Sequence, residues 1–226
     1  MKFDGVDDYI DIPNNTNVNY GVRPQSVSAW IYLQDLTKSG IIGKMSGLYS
    51  FDGWYLECVT GGDIKLAFNG DATNQNATST SHPLTTNTWF HVVANIDIGN
   101  TNISEVYVNS VLVASVTDTG NSIVNESNPL RIGMGYQTAP INYFQGYIDD
   151  VRMYNRKLSA DEIKSLYESR SRINLREGLS GYWRLDEGNI GTTSTGAVVV
   201  DRSTNTSNGT PTNGPTWEGS NWINYQ

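Results

Sequence analysis

Carboxylates, side-chain amides and aromatic rings carry most of the chemistry this chain can offer, because histidine and cysteine are scarce. Only His82 and His91 are present, too few for a histidine-rich zinc site. Their spacing to serine and aspartate gives no nucleophilic triad. His91 sits in the apolar run Trp89-Phe90-His91-Val92-Val93 and reads as a structural residue. Gly133-Met134-Gly135 runs into Tyr136 with no lysine and no helix behind it, so it does not cradle phosphate. The single cysteine, Cys58, is expected to be a buried, inert thiol.

Oxygen donors are plentiful. Calcium takes about six to eight oxygens from carboxylates, amides and main-chain carbonyls. Asp201, Asn205, Asn208 and Gly209 lie in a loop able to supply several. A second cluster, Asp4, Asp7, Asp8 and Asp11, surrounds Gly5 and is expected to form a turn rather than ligate a metal. Sugar recognition needs aromatic faces with polar groups at their rim. Tyr49, Trp54, Tyr136 and Tyr143 are the candidates, with Tyr55 and Phe144 beside them. Trp30, Trp89 and Trp183 fall inside strand-like phrases and read as core, an alternative that also applies to Trp54.

The elements that must position these residues are strands. The 226 residues carry 15 basic and 23 acidic side chains, a net charge of −8. Such a surface repels nucleic acid and anionic lipid. No run of apolar residues is long enough to span a bilayer, so neither a nucleic-acid partner nor membrane insertion is expected. Met1-Lys2-Phe3-Asp4-Gly5 does not read as a signal peptide. Charged residues make up 17% of the chain, against about 25% ordinarily; Asn, Thr, Ser and Gly supply the polarity.

Strand-like runs cover 2–12 (broken at Gly5), 26–33, a short 41–42, 53–59, 64–68, 89–98, 106–116, 130–134, 147–154 and 179–185. Asn109-Ser110 suggests a tight hairpin. Serine is strained at positive φ, so a longer loop stays open as an alternative. Leu158-Ser159-Ala160-Asp161-Glu162-Ile163 predicts one helix, with Ser159 and Glu162 as a capping box and Leu158 stapled to Ile163. The polar stretch 187–216 holds one strand-like run, 197–200, and is expected to be pinned to the body or to touch a neighbour. The fold class is all-β: two antiparallel sheets and a short helix.

Seven phrases give this pattern a family likeness: FDGVDDYIDI (3–12), SVSAWIY (26–32), TWFHVVANID (88–97), EVYVNSVLVA (105–114), PLRIGMGY (129–136), QGYIDDVRMYNRKLSADEIKSLY (145–167) and GLSGYWRLDEG (178–188). Together they resemble the laminin G-like domains of the concanavalin A-like jelly-roll superfamily. The resemblance implies a single sandwich over 1–226 in which 178–226 supplies the segment that usually comes first. That segment is expected to fold back beside Met1, the alternative being exchange with a neighbouring copy. The resemblance also implies that the 201–209 loop packs near Asp149-Asp150. A structural calcium follows as an expectation, held by Asp201, Asp150, Asn205 and Asn208. The competing reading has Asp201 capping a turn and Asp150 paired with Arg152 or Arg156.

Some members of that superfamily hydrolyse glycosides with acids on alternate positions of one strand. Neither 147–151 nor 182–187 has that pattern, and a non-enzyme is expected. The function expected first is a structural or surface component of a phage or viral particle, with a homo-oligomer and glycan contact both open to it. The alternative is a stand-alone lectin-like or adhesion protein. Glycans or neighbouring surface proteins are the partners, on a virion or an extracellular surface.

Overall fold

Alternating apolar and polar side chains sort the strands into two stacked layers. The computed structural model describes residues 1–19, 21, 23–37, 39–45, 53–68, 75–97, 102–117, 127–135, 142–169 and 175–218. Among them are 14 strands and one helix. Sheet A contains β1 (Lys2–Asp4), β3 (Gln25–Leu33), β8 (Trp89–Ile96), β9 (Ile103–Val108), β10 (Val111–Thr117), β12 (Gln145–Tyr154) and β13 (Leu179–Trp183). Its spatial order is β1-β12-β3-β8-β9-β10, with β13 also on β12. Sheet B runs β14 (Thr210–Thr212), β2 (Tyr9–Ile12), β11 (Leu130–Ile132), β4 (Ser39–Met45), β5 (Gly53–Val59), β6 (Asp63–Phe68) and β7 (Gln75–Thr78). All the pairings of named strands are antiparallel.

The inner faces interdigitate as one core. Val27, Ala29, Ile31 and Leu33 of β3 meet Ile10, Ile12, Leu56 and Ile132 of sheet B in it. Cys58 is buried there, and burial pushes its thiol up to about 12, so it is inert at neutral pH. The hairpin at Asn109-Ser110 is tight, with both residues at positive φ. Asn109 holds it by donating from its N–H to the His91 carbonyl (2.8 Å) while its Oδ1 accepts from the His91 N–H (3.0 Å). Those two bonds offset the strain at Ser110.

The helix α1 (Ala160–Glu168) starts at Ser159 with the full capping box. Leu158, Ile163 and Leu166 pack on Val93, Tyr107 and Tyr154, on the outer face of sheet A. Arg156 grips Glu162 through both oxygens (2.8 and 2.6 Å), which holds that carboxyl down to about 2.

The C-terminal segment runs along its own chain. β13 takes the edge of β12 at Val151–Tyr154, end to end with β1 at Gln145–Tyr147. β14 pairs with β2, and Thr216 and Lys2 exchange both main-chain hydrogen bonds. Residues 197–200 form no strand: Val198 and Val200 are exposed, and only Val199 is buried, in a single bridge with Gly209. The short edge strand is instead β14, where Pro211 is tolerated because an edge position does not require every N–H.

Trp183, Leu185, Val199 and Trp217 all lie in the core. Burying each such side chain is worth roughly 1.5–3 kcal/mol or more, and together they rival the about 5–15 kcal/mol by which a domain is stable. Deleting residues from 178 onward is therefore predicted to leave an insoluble product. A soluble 1–177 fragment that melts cooperatively refutes this.

Candidate functional site

Three strands decide what the outer face of sheet A displays. On β3, Ser26, Ser28, Trp30 and Tyr32 alternate with the core residues and point outward; on β8 the outward set is Trp89, His91, Val93 and Asn95. The register turns these positions into cross-strand rows. Lys2, Tyr147, Tyr32 and Trp89 stand opposite one another on β1, β12, β3 and β8. Asp149, Trp30 and His91 form the next row, and Arg152, Ser28, Val93 and Tyr107 the one beyond. A bulge in β12 keeps this phase: Asp150 is the inserted residue, at φ 50, and its N–H donates to Asp149 Oδ1 (2.9 Å).

The helix covers the later rows. Tyr167 stacks on Trp30 (6.0 Å, 27°) and on His91 (6.4 Å, 26°). His91 is buried, and burial pushes its imidazole down to about 3, so it is neutral and no proton carrier at physiological pH. The first row lies beyond the helix. Tyr32, Trp89 and Tyr147 are each half-buried. Their ring centroids lie 5.6 Å (Tyr32–Trp89), 5.4 Å (Tyr32–Tyr147) and 6.3 Å (Trp89–Tyr147) apart. Lys2 Nζ lies 6.0 Å from the Tyr147 centroid, and the Tyr32 hydroxyl donates to Asn87 Oδ1 (3.4 Å). Burial and the nearby Glu218 charge hold the Tyr147 phenol above its ordinary value. Gly146 permits the close strand approach behind this row, since a Cβ there would meet the Tyr32 carbonyl oxygen at 2.0 Å.

The residues singled out from the sequence are dispersed. Tyr49 and Tyr136 lie outside the described residues. Trp54 is 2% exposed and packs in the core, so it is not available to a ligand; the phase of β5 turns Trp54, Leu56 and Cys58 inward and Tyr55 and Glu57 outward. Tyr143 is half-buried and stacks on Tyr9 (6.4 Å, 29°) on the outer face of sheet B. Arg131 lies over the Tyr9 ring (5.3 Å) and donates from Nε to Asp11 Oδ1 (2.8 Å). The residues that sequence reasoning missed are Tyr32 and Tyr147, and Trp89 is half-exposed where core was expected. The available signal was their alternation with Ile31, Leu33, Phe90 and Ile148.

Asp201 is a hydrogen-bond hub. Its Oδ1 accepts from the N–H groups of Tyr182 (2.9 Å) and Ser203 (2.8 Å), and its Oδ2 from Ser207 N–H (2.8 Å) and Ser203 Oγ (2.9 Å). Asn208 Oδ1 accepts from Asp201 N–H, and Asn205 Nδ2 donates to the Ser180 carbonyl. Asp150 meets Arg152 through both oxygens (3.1 Å each). Among the described residues, donors face these two carboxylates, an arrangement that holds the loop without requiring a cation. The ligand atoms of Asp4, Asp7 and Asp8 do gather within 4.8 Å of one another and could hold a divalent cation. Within that turn Asp4 Oδ1 accepts from Val6 N–H (2.8 Å), and Asp8 Oδ2 from Asp4 N–H (3.0 Å). Burial, with the Asp4 charge adding, pushes the Asp8 carboxyl up to about 6.

Two outcomes are expected. Asp201→Ala orphans several buried donors and should cost about 2–4 kcal/mol in a denaturant melt, equally in calcium and in chelator. A loss seen only when calcium is present would instead make Asp201 a metal ligand. The second concerns Asp149, whose carboxyl burial pushes up to about 7 from about 3.9 in the unfolded chain. The folded state then holds the proton more tightly, so this group lowers stability as pH rises from about 4 to about 7. Asp149→Asn keeps the acceptor for Asp150 N–H and should raise the melting temperature by several degrees at pH 8. The gain should vanish near pH 4, and a pH-independent change contradicts the assignment.

Among solved structures the fold recurs widely. A Bacteroides ovatus protein, assigned provisionally as carbohydrate-binding, superposes with a TM-score of 0.72 at 20% identity over 97% of this chain. The chain spans 60% of that protein's length. The CBM40 module of a Ruminococcus gnavus sialidase, bound to α2,3-sialyllactose, gives 0.58 at 10% identity, covering 74% of this chain and 97% of the module. A heptameric pentraxin of Limulus polyphemus gives 0.53 at 15% identity, over 76% and 87% respectively. No curated protein sequence matches the chain. The two-sheet sandwich, the single helix and a family match running from residue 4 to residue 164 lead to one placement: the chain belongs to the laminin G-like family of the concanavalin A-like lectin/glucanases superfamily.

Proposed function

We propose that the chain is a non-catalytic, lectin-like domain that binds carbohydrate on the outer face of sheet A. The observation that carries this reading is the row of Tyr32, Trp89 and Tyr147, half-exposed and flanked by Lys2 and Asn87. Aromatic faces take up the C–H surfaces of sugar rings while polar groups at the rim meet the hydroxyls. Neighbouring strands lie about 4.8 Å apart, so a row across four strands suits two or three linked sugars better than one. The family membership supports the reading, as do similar folds described as carbohydrate-binding or solved with sialyllactose. An extracellular or surface setting fits it. The particle-component reading draws no comparable support from these likenesses, so the binding reading is preferred.

The test is an array of immobilised neutral, N-acetylated and acidic oligosaccharides. Wild-type protein is expected to bind a subset of them. Trp89→Ala and Tyr32→Ala should each weaken that binding roughly tenfold or more, since an aromatic contact is worth about 0.5–1.5 kcal/mol beyond the area it covers. Both variants should retain cooperative melts. Binding undiminished in the double variant would sink the proposal.

A further inference from the structure

The outer face of sheet B carries a second group with the same chemical character. Tyr9 and Asp11 alternate with the core residues Ile10 and Ile12, and Arg131 lies between the core residues Leu130 and Ile132. The three therefore point away from the core. Tyr143 stacks on Tyr9, the Arg131 guanidinium covers the Tyr9 ring, and Asp11 Oδ1 fixes Arg131 Nε. This pair is only partly solvated, with Arg131 16% and Asp11 32% exposed. Among the described residues that pairing engages only Nε and Oδ1, which offers the terminal guanidinium nitrogens and the second Asp11 oxygen to a ligand. A stacked tyrosine pair beside a fixed donor–acceptor pair is what adjacent hydroxyls of a sugar ring require.

We infer that Tyr9, Tyr143, Arg131 and Asp11 form a second carbohydrate-binding patch, so that one chain links two glycan chains. The cross-linking part rests on the sheet A reading above; the sheet B patch does not. The two groups face opposite ways, because each alternates with residues of the same core. The sheets themselves stand about 10 Å apart, so one sugar chain cannot occupy both patches.

The same oligosaccharide array tests this with wild type, Trp89→Ala/Tyr32→Ala, Tyr143→Ala/Arg131→Gln and the variant that combines them. A single Tyr143→Ala variant and thermal melts guard against misfolding. Each double variant is expected to keep binding to part of the array, and combining all four changes should abolish it. Wild type captured on the array should then retain a soluble fluorescent oligosaccharide from the same set, and each double variant should lose that second capture at least tenfold. If Tyr143→Ala/Arg131→Gln and Tyr143→Ala match wild type in both assays while Trp89→Ala/Tyr32→Ala binds nothing, the second patch is refuted and the sheet A reading stands. If only the sheet B changes matter, cross-linking and the sheet A reading fall and the second patch stands. Silence of the wild type across the array overturns both.

Discussion

Strand β12 presents two hydrogen-bonding edges. β3 fills one, while β1 and β13 divide the other between Gln145–Tyr147 and Val151–Tyr154. Neither short strand alone can satisfy that edge, and buried N–H and C=O groups without partners are costly. Sheet A is thus completed only when both ends of the described chain are in place. The exchange of main-chain bonds between Lys2 and Thr216 ties those ends together, and the Asp201 hub holds the intervening loop against β13 through Tyr182 N–H. Loop closure within one chain costs little extra entropy per added residue, which is why a long polar segment can be carried this way.

The same strand sets what faces solvent. The extra residue at Asp150 lets Tyr147 and Asp149 on one side of the bulge and Arg152 and Tyr154 on the other share the outer face. Without it, one half would turn its polar side chains into the core, since a one-residue slip inverts a strand's faces. Arg152 then lies over Tyr182 (4.6 Å) and pairs with Asp150. The helix covers Tyr154, Val93 and Tyr107. Its length matters: it ends its cover at Trp30 and His91, and the next row lies beyond it, half-buried.

Much of this architecture was legible in the residues. Most strand spans, the Ser159–Glu162 capping box and the inert Cys58 follow from local patterns whose physics is local, whereas the short edge strands β7 and β14 carry no such pattern. The proposed site was harder to read. In Gly53-Trp54-Tyr55-Leu56-Glu57-Cys58 either phase places aromatics on a face, and only pairing with β4 and β6 shows that Trp54 goes inside. Tyr32, Tyr147 and Trp89 are far apart in sequence and become neighbours only through register. The Asp201 loop is ambiguous for another reason: the oxygens that suit calcium also suit main-chain N–H groups, and composition does not distinguish the two. The run 197–200 has strand composition, yet only Val199 finds a partner, because Gly209 offers a single bridge before the chain turns away.

The proposed binding face is built from strand positions, which has a consequence that a loop-built site lacks. The backbones beneath Tyr32, Trp89 and Tyr147 are fixed by continuous ladders in β3, β8 and β12. The rings also brace one another at 5.4–6.3 Å. Little side-chain entropy is left to lose on binding, so in the proposed site the rings would contribute affinity with a small ordering cost. They discriminate poorly, however, because any sugar with an apolar face suits an aromatic ring. In the proposed site selectivity would come from the rim, where Lys2, Asn87 and Glu218 lie beside the row and differ in charge and reach. Exchanging those rim residues, rather than the rings, is how a domain of this design would change its ligand while keeping its fold.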